Sequence, residues 1–233
     1  MSDGGRRNLM DVLSQEERRA LLARARNIRA RRGQTIVAKG EASRDVFLIQ
    51  EGRVEVLLYA ASGREVSLRT LSEGQLFGEL AAIDGEARSA SILAASDARL
   101  LAMSPQTFQS VIAGSAEATD WLVRRLTAQI RSLTNRVFEL SALHVQARLH
   151  CELLRLVRAQ GDENGLVDPA PTHAELASRI GTHREAVTRE LSLLARRKIV
   201  RSGRRHLEFL DIERLEEELR ATLRQPVEPD EGW

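Results

Sequence analysis

The stretch from Thr172 to Leu191, THAELASRIGTHREAVTREL, holds two short helical periods separated by a single glycine. Thr172 followed three residues later by Glu175 is a capping box, in which side chain and backbone satisfy each other's free donors at a helix start. Leu176, Ala177 and Ile180 supply the apolar side of that helix, and Gly181 breaks it. Thr182, with Glu185 as reciprocal partner, is predicted to cap a second helix that buries Val187, Leu191 and Leu194. Two short helices joined by a three- to four-residue turn holding a glycine make a helix-turn-helix unit. The next segment, IVRSGRRHLEFL, reads as two strands around Ser202-Gly203 and adds a wing.

If Ala186, Val187 and Leu191 face inward, His183, Arg184, Glu185, Thr188 and Arg189 face outward near the N-terminal half, where a recognition helix meets base edges. Arginine can grip guanine O6 and N7 with two hydrogen bonds, and a carboxylate can accept from a cytosine amine. Arg184, Glu185 and Arg189 are therefore the candidates for reading sequence. Thr172 joins the contact set at the start of the first helix. Arg196, Arg197, Lys198, Arg204 and Arg205 suit phosphate contacts, which position a protein without reading bases.

Charge along the chain agrees with this placement. The 233 residues average to a net charge of only +2. Residues 169–209, however, carry nine Lys or Arg against four Asp or Glu, whereas residues 210–233 carry three against eight. A basic block is where a polyanion binds. A lone arginine means little here, because Lys39 and Lys198 are the only lysines among 35 basic residues. The single cysteine, Cys151, excludes an internal disulfide and any cluster needing several thiolates from one chain. No run of about 18 apolar residues occurs and the N-terminus lacks an apolar signal core, so a cytoplasmic protein without membrane spans is expected.

Upstream, residues 35–103 alternate apolar and polar side chains in short runs broken by glycine-bearing turns. Val54, Val56, Leu58 and Val66, Leu68, Thr70, separated by Glu51-Gly52 and Ser62-Gly63, predict consecutive antiparallel strands of a small β-roll. A helix capped by Ser14 and Glu17 precedes it. Ser104 and Pro105 open the helical region that follows. In the long helix from about Glu117, Leu126, Ile130, Leu133, Val137 and Leu140 recur at alternating spacings of four and three. That register is a coiled-coil seam, and it predicts a homodimer. A further helix, HVQARLHCELLRLVRA, leads to the linker GDENGLVDPAP.

One segment of the roll, FGELAAIDGEARSAS from Phe77 to Ser91, has the makings of an anion site. Gly78-Glu79-Leu80 opens a short helix with free N–H groups, and Arg88-Ser89 returns with a guanidinium and a hydroxyl. As a unit it closely resembles the phosphate-binding cassette of cyclic-nucleotide-binding domains. With THAELASRIGTHREAVTREL downstream, the chain from about Leu13 to Leu210 resembles the CRP/FNR family of bacterial transcription regulators. The resemblance implies an α+β chain: an N-terminal β-roll with its helix over residues 1–115, a dimerisation helix over 116–144, and a winged helix-turn-helix over 145–210. Residues 211–233 would be an acidic C-terminal tail.

The resemblance also implies roles. Arg88 would pair with a cyclic phosphate, Ser89 would hydrogen-bond it, and Glu79 would take the ribose 2′-hydroxyl, with backbone amides around Gly78, Leu80 and Ala90 completing the cradle. Relatives that respond to cAMP present two adjacent hydroxyls to the adenine from the long helix; here those places hold Leu133 and Thr134. Leu133 cannot bond the exocyclic amine, which leaves cAMP favoured with cGMP as an alternative ligand. No cofactor and no catalysis are implied. The expected partners are a second copy of the chain, a palindromic DNA duplex with TGTGA-like half-sites, and RNA polymerase. The competing reading is a regulator of the same family with an empty or constitutively active pocket.

Overall fold

The computed structural model describes residues 8–59, 65–160, 164–203 and 205–223. It divides into two compact units, Met1–Ile130 and Arg131–Trp233.

The first unit starts with α1 (Leu9–Val12) and α2 (Gln15–Arg24), the latter capped by Ser14 and Glu17 as predicted. Eight strands follow: β1 (Arg26–Ala30), β2 (Thr35–Val37), β3 (Val46–Glu51), β4 (Arg53–Tyr59), β5 (Glu65–Ser72), β6 (Leu76–Phe77), β7 (Ser91–Ala94) and β8 (Ala98–Met103). They form two four-stranded antiparallel sheets, ordered β1-β8-β3-β6 and β2-β7-β4-β5. Phe47, Ile49, Val54, Val56, Phe77, Ile92 and Leu100 fill the space between them, with the Phe47 and Phe77 rings stacked at 4.9 Å. The alternate residues Val46 and Leu48 of β3 belong to a second core with Leu9, Leu21, Leu76, Phe108 and Leu122. Strand β3 is thus covered on both faces, which explains why its sequence, VFLIQE, reads as an apolar run rather than an alternation.

The expectation that the strands on either side of Glu51-Gly52 pair with one another is corrected. Strands β3 and β4 lie in different sheets, and only β4 and β5 pair as neighbours. Gly52 makes the crossing: its φ is +86°, and a Cβ there would lie 2.2 Å from the Asp97 carbonyl oxygen. The Ser62-Gly63 turn lies outside the described residues. The short helix α3 (Glu79–Asp84) sits between β6 and β7, and α4 (Pro105–Gly114) follows β8 with Ser104 as its cap and Pro105 at its first position.

Helix α5 (Ala116–Ala142) runs from the first unit into the second. Of the seam residues, Leu126 is half-buried against the core of its own chain. Ile130, Leu133, Val137 and Leu140 are 47–64% exposed in the single chain. No helix among the described residues is long and apolar enough to cross a membrane.

The second unit continues with α6 (Val145–Gln160), β9 (Leu166–Val167), α7 (His173–Ile180), α8 (Arg184–Arg196), β10 (Val200–Ser202), β11 (Leu207–Phe209) and α9 (Ile212–Leu223). One core joins Leu149 and Leu153 of α6, Leu176 and Ile180 of α7, Val187 and Leu194 of α8, and Leu215 of α9. Two expectations change here. The linker contains a strand, β9, which pairs with β11 and completes a sheet ordered β10-β11-β9. Residues 212–223 of the expected acidic tail form a helix whose Leu215 is fully buried, tied by Arg158–Glu216 at 2.5 Å and Arg197–Glu218 at 2.6 Å. An amphipathic helix with one apolar stripe folds onto a core however acidic its outer face.

Helix α8 is held to α6 by a polar clamp. The Glu190 carboxylate accepts from Gln146 Nε2 at 3.1 Å and lies 2.9 Å from Nε2 of His150, a fully buried ring. The hydrogen bond with His150 holds the Glu190 carboxyl below its ordinary range, outweighing the opposing effect of burial. A carboxyl depressed on folding stabilises the fold above its unfolded-state pKa, and that contribution is lost as pH falls through the folded value. Urea unfolding of the intact chain between about pH 7 and about pH 3 is expected to show this loss, and Glu190→Gln to shrink it. An unaltered pH profile in the variant would remove Glu190 from the linkage.

Candidate functional site

The anion pocket is built where β6 runs into α3. Gly78 caps the helix at φ +85°, and a Cβ there would fall 2.7 Å from the Asp45 carbonyl oxygen and 2.8 Å from Arg88 Nη1, so only glycine fits. The next residue, Glu79, is 2% exposed, and Arg88 is 4% exposed. Arg88 spends three of its five N–H groups on its own chain: Nε donates to Ser43 Oγ at 3.1 Å, Nη1 to the Gly78 carbonyl at 3.0 Å and Nη2 to the Asp45 carbonyl at 2.7 Å. Its guanidinium lies 5.9 Å from the Phe47 ring centre. Burial pushes its pKa down, against the attraction of Glu41, Asp45 and Glu79.

The structure therefore brings Gly78, Glu79 and Arg88 together. Ala90 is half-buried, while Leu80 and Ser89 are exposed. Leu133 and Thr134 fall in the part of α5 that belongs to the second unit, and both are exposed. Sequence reading missed Arg69 on β5 and Arg125 on α5, two half-buried guanidiniums that the Glu79 carboxylate attracts. Nothing marked them among so many arginines, since their importance lies in burial beside Glu79. Arg69 Nη1 donates to Gln129 Oε1 at 3.0 Å, and Arg125 Nη2 donates to the Leu76 carbonyl.

In the second unit the predicted helix-turn-helix is present, with one local difference. Thr172 and Glu175 cap α7 reciprocally and Gly181 ends it in the left-handed conformation, as expected. The second helix starts at Arg184 with His183 as its N-cap and no side-chain cap, so Thr182 does not cap it. Val187, Leu191 and Leu194 are buried, and His183, Arg184, Glu185, Thr188 and Arg189 are exposed together on the other side of α8. The Thr188 hydroxyl donates to the Arg184 carbonyl at 3.0 Å and accepts from His173 Nδ1 at 2.8 Å. Burial and the nearby Arg184 cation hold the His173 pKa below its ordinary value. A cleft of about 500 Å³ is lined by Thr172, His173, Arg184, Arg205 and His206. Arg205 is exposed at φ +68° in the wing, and Arg204 lies outside the described residues. Arg197 Nη1 donates to the Glu218 carboxylate of α9 at 2.6 Å.

Comparisons with known proteins agree with both units. Residues 27–115 match the cyclic nucleotide-binding domain family and residues 147–218 the Crp-like helix-turn-helix domain family. The chain is 30% identical over 187 residues to the CRP-like cAMP-activated global transcriptional regulator of Mycobacterium tuberculosis, covering 79% of this chain and 84% of that protein. It is 32% identical, over the same shares, to the cyclic AMP receptor protein of Thermus thermophilus. Among solved structures, the catabolite activator protein of Thermus thermophilus matches with a TM-score of 0.52 at 30% identity, covering 92% of this chain and 99% of that one. A CooA mutant from Carboxydothermus hydrogenoformans shares the fold, with a TM-score of 0.79 at 23% identity over 92% and 96% of the two chains. A β-roll carrying a cyclic nucleotide-binding domain, a long helix and a Crp-like helix-turn-helix, with relatives at this identity, place the chain in the CRP/FNR family of DNA-binding transcription regulators.

Proposed function

We propose that this chain is a homodimeric transcription regulator whose operator affinity is set by a cyclic nucleotide in the β-roll, with cAMP the first candidate ligand and cGMP the second. The observation that carries the ligand reading is the buried Glu79 and Arg88 pair beside the Gly78 turn. A singly charged phosphodiester needs a cation and N–H donors out of water, and an ionised carboxylate, which only accepts, suits the ribose hydroxyl and not the phosphate. Two relatives named for cAMP support the first choice. The dimer reading rests on the row Ile130, Leu133, Val137 and Leu140, which is apolar and exposed in one chain and would be covered by its counterpart in a second.

In this reading Arg88 and Ser89 hold the phosphate, Glu79 the ribose, and the amides near Gly78, Leu80 and Ala90 complete the cradle. Leu133 and Thr134 are the α5 positions that the family resemblance assigns to the base. Nucleotide acts by binding two arrangements of α5 with different affinity, which redistributes the positions of the recognition helices. Arg184, Glu185 and Arg189 read bases, while Thr172, His183, Thr188, Arg204 and Arg205 position the duplex. A symmetric dimer implies a palindromic operator, with TGTGA-like half-sites as the first sequence to test and RNA polymerase as the downstream partner. The test is a gel-shift series on a palindromic duplex without nucleotide, with cAMP and with cGMP. Tightened binding with nucleotide supports the reading, and equal binding in all three lanes supports a constitutive regulator with an empty pocket. The three own-chain hydrogen bonds of Arg88 favour that second reading.

For the DNA surface, Arg184→Ala is expected to cost about 1–3 kcal/mol of operator affinity and to relax the preference at one base pair. Competition assays with single-base operator variants check this. Equal weakening on every sequence would make Arg184 a phosphate contact.

A further inference from the structure

The sensor holds more buried and half-buried positive charge than a cyclic mononucleotide requires. Arg69, Arg88 and Arg125 all feel the Glu79 carboxylate, and Glu79 is the one carboxylate acting on Arg69 and Arg125 among the described residues. A cyclic phosphodiester brings one negative charge, to Arg88. That leaves two guanidiniums sharing one carboxylate. Taking a guanidinium out of water is costly unless its N–H groups meet acceptors, so an acceptor-rich neutral group is the natural complement.

The remaining geometry says which guanidinium is available and what it would meet. Arg125 is anchored: Nη2 donates to the Leu76 carbonyl, and the guanidinium lies 5.8 Å from the Trp121 ring centre. Arg69 instead donates to a side chain, Gln129 Oε1 at 3.0 Å, which can rotate away. If the 2′-hydroxyl sits at Glu79, the base leaves the sugar from the neighbouring carbon and emerges beside that carboxylate. Guanine presents two acceptors, O6 and N7, on one edge, spaced for a guanidinium fork. Adenine presents N7 and an amine there, and the amine opposes a cation.

We propose that Arg69, which donates to Gln129, turns to grip the O6 and N7 edge of guanine and so admits cGMP as an effector of this protein. This rests on the cyclic-nucleotide reading above and adds the residue that reads the base. Burial lowers the Arg69 pKa against the attraction of Glu79. Gln129 then offers its own amide to the purine.

The experiment is calorimetric titration of the full-length protein and of Arg69→Ala with cAMP, cGMP and inosine 3′,5′-cyclic monophosphate, which keeps O6 and N7 but lacks the 2-amine. In Arg69→Ala the ratio of the cGMP Kd to the cAMP Kd is expected to rise at least about tenfold, with the urea unfolding midpoint as the control for folding. A smaller rise, or equal weakening of both, overturns the proposal. In the unmodified protein the inosine nucleotide is expected to bind within about threefold of cGMP, and a larger loss would show that the 2-amine edge is read instead. Binding of cAMP without cGMP overturns the role of Arg69 alone. If none of the three nucleotides binds, the cyclic-nucleotide reading fails with it.

Discussion

Replacing Arg88 by alanine is expected to abolish measurable cyclic-nucleotide binding by calorimetry while the dimer persists in sedimentation. Removing one partner of a buried, hydrogen-bonded charge pair costs about 2–5 kcal/mol or more, roughly thirtyfold to several-thousandfold in affinity. Much of that cost is the phosphate left buried without its cation. The substitution also strips the Gly78 and Asp45 carbonyls of a donor, and each buried acceptor left unmade costs about 1–3 kcal/mol. The β-roll should therefore melt earlier as well. Arg88→Lys separates the two effects, since it keeps the charge but not the planar fork that reaches Ser43, Gly78 and Asp45 together. Unchanged nucleotide affinity in Arg88→Ala would sink the pocket assignment.

Deleting residues 211–233 is expected to unfold the second unit and abolish operator binding. Charge alone argued for the opposite result, a stronger non-specific grip on DNA once an acidic tail is gone. The structure reverses the sign because α9 is part of the core. Leu215 is fully buried, with Ile212 and Leu219 packed beside it. Truncating one such leucine to alanine costs about 2–5 kcal/mol, a large share of the roughly 5–15 kcal/mol that holds a domain together. The deletion also removes Arg214, whose Nη1 donates to the Arg197 carbonyl at 3.2 Å at the C-terminal end of α8. Deleting only residues 224–233 spares α9 and removes three of the carboxylates against one arginine. That shorter variant should keep its fold and operator binding, with any change confined to low-salt, non-specific affinity. A folded protein lacking residues 211–233, judged by urea unfolding and gel shift, would show that α9 is dispensable.

Sequence was most informative where the physics is local. The capping pairs Ser14–Glu17 and Thr172–Glu175 close hydrogen bonds between residues three apart, so the helix starts they mark were legible without any tertiary knowledge. The cap of α8 shows the limit of the same rule: Thr182 and Glu185 have the right chemistry, but the turn after Gly181 places His183 at the cap. The β3 to β4 crossing at Gly52 and the strand β9 were not legible, because which sheet a strand joins depends on partners far away in the chain.

The candidate pocket divides in the same way. Gly78, Glu79, Arg88 and Ser89 stand within one short segment, and that segment as a unit, through its resemblance to a phosphate-binding cassette, suggested an anion site. Arg69, Arg125 and Gln129 come from a strand and a helix elsewhere in the chain and carry no pattern of their own. On the DNA side, the outward set on α8 followed from the helical period, while the commitment of Arg197 to Glu218 did not. By itself the sequence determined the α+β class and the placement of a β-roll before a helix-turn-helix, and it nominated candidates to meet phosphate and bases, since those rest on periodicity and on side-chain chemistry. Tertiary structure alone decided which charges are buried together around Glu79, that Leu126 serves the core of its own chain, and that the acidic stretch after Leu210 begins with a structural helix. Burial depends on what packs opposite a residue, and a residue's chemistry does not reveal its neighbour across the fold.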